Sequence, residues 1–414
     1  MLEPPAIIVP PPLAPTSAVG EERLHAMDHV RAVAMLLGIV LHAAISFMET
    51  KVPWVLQDSQ TNLGFDVLVS LIHGFRMQLF FFIAGFFARL LIRRIGVRRF
   101  IQHRLVRVGI PFIVGLFTLL PVIFVIWMIG NRVGGIVPSA EMTRTPQSIG
   151  EFPTAHLWFL EYLLIFYGAV VLLQLPRVKL DKSGWGRIAD RLYSGLLGAW
   201  WKPFVLPLLT VPFLMGGPMI GEVESAGVAM MPRWQALIYY GIYFACGWML
   251  HRQKGLLGEF LRFRWLYLAT AVVSFAGYAA VLVAIEEGEV ANQRAIEMIG
   301  HTFAEIYTWA MLFGFTGMFL KYFASRAAWA RYLADASYWF YLIHLPLVLW
   351  LQIVVAKWEV NALLKFAFIN VVTILILLAT YDWIVRYTFI GRILNGKRTR
   401  PEPNSPALTS SRAG

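Results

Sequence analysis

The sequence predicts an all-α polytopic membrane protein: a bundle of about ten transmembrane helices with both termini cytoplasmic. Three observations predict it. The 414-residue chain is 58% hydrophobic and 14% charged, with a mean hydropathy of +0.64, and a soluble protein of this length needs more charge to cover its surface. Ten runs approach the roughly 20 apolar residues that cross hydrocarbon, at about 30–48, 67–88, 108–130, 156–175, 203–221, 234–250, 265–285, 301–320, 336–356 and 366–386. The charge of the connecting segments alternates. The N-terminal tail and the residues after 385, with segments 89–107, 176–202, 251–264 and 321–335, hold 27 of the 36 Lys and Arg, and the segments between hold seven. The positive-inside tendency then makes the Lys- and Arg-rich side cytoplasmic and the helix count even. It also accounts for the net charge of +12 without nucleic acid.

Taken in order, residues 1–23 form a Pro-rich tail, with no basic n-region and apolar core of a signal peptide. The first span carries "RAVAMLLGIVLH", a guanidinium at one end and an imidazole at the other. Eleven residues advance a helix about 16 Å and turn it about 1100°, so Arg31 and His42 share a face. Asp28, three before Arg31, is placed to pair with it. The second span, "LIHGFRMQLFFFIAGFFARLLIRR", puts His73 and Arg76 on one face near mid-depth. The segment "RRIGVRRFIQHRLVRVGIP" follows, either a topology signal or a binding surface for anions. On the fourth span Glu161 is placed as a salt-bridge partner for Arg76 or as a proton carrier. The ninth span, "DASYWFYLIHLPLVLW", lifts His344 about 12 Å above its start, with Pro346 loosening the backbone there. Residues 391–414 are a second polar tail, leaving 24–390 as the membrane domain. The single cysteine, Cys246, makes no internal disulfide and no metal cluster.

Each polar residue has an ordinary reading. Arg31 alone is an interface anchor, a lone His bonds a neighbouring helix, and Trp54, Trp234 and Trp358 are belt anchors before they are sugar platforms. Together they read differently, because ionisable groups at one depth on three helices face a wet cavity or the bundle interior. A coenzyme A thioester entering from the cytoplasm fits this layout. Its phosphates suit the arginine forks, and its extended arm is comparable to the ~16 Å from Arg31 to His42. A neutral imidazole at that depth takes a proton from an acceptor hydroxyl.

Four stretches resemble the membrane acyltransferase-3 family. They are "LHAMDHVRAVAMLLGIVLHA" with its Arg-x10-His, "FRMQLFFFIAGFFARLL", "RRFIQHRLVRVGIP" with Arg104, Arg107 and Pro111, and "SYWFYLIHLPLVL". The resemblance spans nearly all of residues 24–390. It implies a bacterial inner-membrane enzyme moving an acyl group from cytoplasmic acyl-CoA (succinyl-CoA or acetyl-CoA) to a hydroxyl of an extracytoplasmic carbohydrate. A periplasmic glucan is among the candidate acceptors, and glycan-synthesis proteins among the candidate partners. His42 is then catalytic, and Arg31, Arg104 and Arg107 serve the donor. Asp28, His73, Arg76, Glu161 and His344 support or contact substrate, and no metal is called for. The family's O-acetylating branch carries Trp-x-Leu-x-x-Glu, whereas here Glu161 stands three after Trp158. The rival from another class is a transporter of a glycan or carboxylate through a polar midplane site. No second Arg-x10-His helix marks the internal repeat that transporters often show.

Overall fold

In lipid a backbone must satisfy its own N–H and C=O groups, so long apolar runs become helices. The protein, described by a computed structural model over residues 18–134, 153–174, 184–223, 229–288, 292–323 and 328–396, is built this way. Helix α1 is Ala18–Ile45 and α2 is Leu63–Ile95. Helices α3 (Val97–Arg104) and α4 (Ile110–Val133) are joined by a π-turn, Leu105–Gly109. Helix α5 (Trp158–Leu173) follows a 3-10 turn at Ala155–Leu157. Then come α6 (Gly184–Leu197), α7 (Lys202–Val205), α8 (Pro207–Thr210) and α9 (Trp234–Arg252). Helices α10 (Leu257–Arg262), α11 (Arg264–Glu286), α12 (Gln293–Tyr322), α13 (Ala328–Val355), α14 (Ala362–Thr380) and α15 (Phe389–Asn395) complete the chain. Among the described residues there is no strand.

Eight helices are long and apolar enough to cross a membrane, or nine if the bent pair at 187–213 counts as one. The expectation of ten uniform spans is corrected at two places. The run 203–221 is not one helix. Pro203, Pro207 and Pro212 each lack a backbone N–H, and the chain breaks into short helical pieces bent 108° from α6. Helix α9 is complete at 19 residues but less apolar than a simple span, because Tyr239 and Tyr243 turn inward to a buried acid. Glu305 of α12 accepts hydrogen bonds from Tyr239 (2.6 Å), Tyr243 (2.6 Å) and Thr210 (2.5 Å). Three hydroxyls thereby tie α8, α9 and α12 together around one carboxylate.

Close approach depends on small residues. Gly85 of α2 lies against the Phe244 carbonyl of α9, and Gly247 of α9 against the Phe82 carbonyl of α2. A Cβ at either would strike backbone, so the two helices cross at near-contact. Helix α1 packs between α13 and α2, and α11 packs along α12. Phe117, Val272, Leu363 and Trp383 point outward and exposed, a natural surface when lipid is the solvent.

The ends of the chain bear on the tails expected at 1–23 and 391–414. Residues 1–17 and 397–414 lie outside the described residues, while α1 begins at Ala18 and α15 runs to Asn395, inside those boundaries. The loop from α1 to α2 is held down firmly. Buried Lys365 of α14 reaches both carboxylate oxygens of buried Asp58 at 2.9 Å. Asp66 accepts the Glu49 and Thr50 amides at 2.8 and 3.0 Å. This loop covers one end of the bundle, and the basic segments lie at the other.

Candidate active site

Helix α1 presents Arg31, Met35, Gly38 and His42 at steps of four, three and four, which is one face of a helix. At the basic end of this strip Arg31 pairs with Asp28 at 3.5 Å, as the i, i+3 spacing predicts. Its Nη2 donates to the Ala334 carbonyl of α13 at 3.1 Å, and its guanidinium lies 5.9 Å from the Phe87 ring. One turn before His42, Gly38 has no side chain, and the Arg76 guanidinium of α2 occupies that space directly. Arg76 is buried, its Nε has no partner, and no ion pair joins it to an acidic side chain among the described residues. Glu161 is buried with Oε2 unpartnered among the described residues and makes no ion pair with Arg76. The salt-bridge alternative for Glu161 is therefore not what the structure shows.

His42 is half-buried, with Nδ1 buried and unpartnered among the described residues. Its ring lies 5.2 Å from that of His344, tilted by 33°. His344 has Nδ1 2.9 and 2.8 Å from the Phe340 and Tyr341 carbonyls, which assigns the proton to Nδ1 and leaves Nε2 as a buried lone pair. A third ring, His156, stands 5.7 Å from His344 and edge-on. Its position follows from the proline in α13. Pro346 has no N–H to give the Leu342 carbonyl four residues back, and His156 Nε2 takes that carbonyl at 3.1 Å. That contact leaves His156 Nδ1 as the lone pair, also buried without a partner. Three imidazoles, each with an unused buried nitrogen, thus meet at one depth.

Helix α13 connects this cluster to the basic end. Ala334, Tyr338, Tyr341 and His344 share a face, and ten residues span about 15 Å. The Tyr338 hydroxyl donates to the Arg107 carbonyl at 2.6 Å, and the Tyr341 hydroxyl to the His156 carbonyl at 2.6 Å. Arg107 packs its guanidinium on Gly396, and Arg104 stacks 4.6 Å from the Tyr167 ring and 5.3 Å from Phe100. Arg104 immediately precedes the π-turn and Arg107 lies within it, a wider coil frequent at functional sites. Arg31, Arg104 and Arg107 therefore surround the foot of α13, with the histidines further along it.

The structure places one residue apart from the cluster. His73 is half-exposed and sits 3.6 Å from Glu222. It lies three residues before Arg76 on α2, toward the end of the bundle that the α1–α2 loop covers. Sequence reasoning missed His156 and Gln352, and it read Trp54 as a belt anchor before a sugar platform without placing it beside His42. Gln352 of α13 donates to the His42 carbonyl at 2.9 Å and accepts the Trp54 indole N–H at 3.0 Å. Trp54 in turn sets its ring 5.7 Å from His42. The signal for His156 was its place two residues before Trp158, where it reads as a helix-end residue at the membrane surface.

This arrangement, buried polar groups inside an apolar helical bundle, defines a multi-pass membrane protein. Residues 24–382 match the family described as an acyltransferase domain, and the chain belongs to that family of enzymes, which transfer acyl groups. It is similar to glucans biosynthesis protein C of Escherichia coli strain K12, 31% identical over 149 residues. The same protein of Escherichia coli O1:K1 / APEC is equally similar. Each match covers 36% of this chain and 38% of the relative's length, so the chain spans well under half of the curated relatives it matches. No solved structure matches.

Proposed function

We propose that the protein moves an acyl group, succinyl or acetyl, from cytoplasmic acyl-CoA to a hydroxyl of an extracytoplasmic glycan, a periplasmic glucan in particular. The observation that carries this reading is the strip on α1. Arg31, the Arg76 guanidinium seated on Gly38, and His42 follow one another along a single face, with His344 opposite. In this reading Arg31, Arg104 and Arg107 hold the donor's phosphates at the cytoplasmic end. The pantetheine arm lies along α1 and α13 and delivers the thioester carbonyl beside the imidazole.

His42 removes the proton from the accepting hydroxyl as its oxygen attacks the acyl carbon. The C–O bond forms, the tetrahedral oxyanion collapses, and the C–S bond breaks to release the CoA thiolate. The proton held by His42 passes to that sulfur, so the ring returns to its starting state. His344, through its Nε2 lone pair, orients the His42 ring and steadies its charge, with His156 behind it. Arg76 supplies the positive charge at the reacting end, for the oxyanion and for the carboxylate of a succinyl group. That unpaired cation favours succinyl over acetyl. A bacterial inner-membrane location with both termini cytoplasmic fits a cytosolic donor, and glycan-synthesis proteins fit as neighbours that supply the acceptor.

The test is His42→Ala in purified, membrane-reconstituted protein given acyl-CoA and a glucan acceptor. CoA release and acylated glucan are expected to fall by at least ~10²-fold, with the protein still folded and inserted. Wild-type levels of acylated glucan from this variant would end the assignment. Uptake of glycan into vesicles without acyl-CoA would favour the transporter instead.

A further inference from the structure

On the side of His42 away from the arginines, a short aromatic path leads outward. Trp54 packs edge-on to His42 and, with ring centroids 6.5 Å apart, edge-on to Trp127 of α4. Trp127 Nε1 and Asn131 Oδ1 are both buried without a partner among the described residues, one donor and one acceptor a single turn apart on α4. Their surroundings are fixed. Val55 of the α1–α2 loop lies directly on Gly130, and Val55, Leu56, Ile123, Ile126, Leu345 and Leu349 form a small apolar cluster beneath. Trp54 is held by Gln352, which also holds the His42 carbonyl, so ring and imidazole keep their relation.

Two indoles and an amide oxygen, all uncharged, suit a ligand that is itself uncharged. The occupant must present a flat apolar face and both donate and accept hydrogen bonds. An acyl chain of lipid would leave the indole N–H and amide oxygen unsatisfied, at a cost that buried polar groups rarely bear. An anionic group would find no cation among these three residues. A pyranose ring meets every requirement, with C–H faces for the indoles and hydroxyls for Nε1 and Oδ1. We infer that Trp54, Trp127 and Asn131 form the subsite for the sugar residue that carries the accepting hydroxyl, which rests on the acyl-transfer reading above and names its acceptor site.

The experiment measures equilibrium binding of an unbranched glucose oligosaccharide to the full-length protein in lipid nanodiscs, with no acyl-CoA present. Trp127→Phe keeps the ring and deletes the N–H, and Asn131→Leu keeps the volume and deletes the oxygen. Each is expected to weaken binding roughly tenfold. Trp234→Phe, an exposed tryptophan on α9, is expected to leave it unchanged, and acyl-CoA affinity in all three variants reports that the donor side is intact. Unaltered oligosaccharide affinity in both Trp127→Phe and Asn131→Leu would overturn the subsite, as would a wild-type protein that binds no oligosaccharide. Binding that depends on Trp127 and Asn131 in a protein that releases no CoA from any acyl-CoA would keep the subsite and remove the acyl-transfer reading.

Discussion

Two cations are buried in this bundle, and they are treated in opposite ways. Lys365 is completely buried and engages both oxygens of Asp58. Arg76 is almost as buried, yet it has no acidic partner among the described residues and rests on a bare glycine. A buried charge that is paired holds a structure together, because removing either member strands the other. A buried charge that is left unpaired is expensive, and within a membrane such groups mark the path of a substrate or ion. The first pins the loop that covers His42, and the second faces the strip along which the donor is proposed to lie. Glu305 falls with the first, since three hydroxyls satisfy it.

The contrast can be tested by removing each charge. Lys365→Met alone is expected to cost about 3–5 kcal/mol of stability by leaving Asp58 unpaired, seen as a lowered Tm in detergent. Adding Asp58→Asn to Lys365→Met should recover most of that loss. A Tm unchanged by the single substitution would remove the pairing argument. Arg76→Met should do the reverse, keeping or raising Tm while lowering acyl transfer about a hundredfold. The loss should be greater with succinyl-CoA than with acetyl-CoA, and equal losses would restrict Arg76 to the oxyanion. Gly38→Ala, which pushes the guanidinium off α1, should lower transfer in the same direction by less. The smallest effects are expected at the basic end. Arg104→Ala and Arg107→Ala should each weaken acyl-CoA binding roughly tenfold, and unchanged donor titrations in both would return that segment to a purely topological role.

Much of this was legible in the sequence, for a physical reason. A helix has a fixed rise and turn, so the shared face of Arg31 and His42, the Asp28–Arg31 pair and the height of His344 follow from counting residues. Apolar run length likewise sets which segments form long helices. The run at 203–221 was misread because hydropathy counts apolar side chains and is blind to the missing N–H groups of Pro203, Pro207 and Pro212. His73 was grouped with Arg76 because i, i+3 spacing gives a shared face. It does not say that a loop will bring Glu222 to one member only.

The sequence by itself determined the class, most of the long helices and the relative height of residues on one helix, since these are properties of one helix in lipid. Which neighbour each residue meets was decided only when the helices packed. That Arg76 lies on Gly38, that His156 takes the carbonyl Pro346 leaves free, and that Trp54 closes over His42 are contacts between residues 12 to 186 apart in the chain. Helix geometry fixes height and face along one axis; it carries no information about the rotation and crossing of one helix against the next.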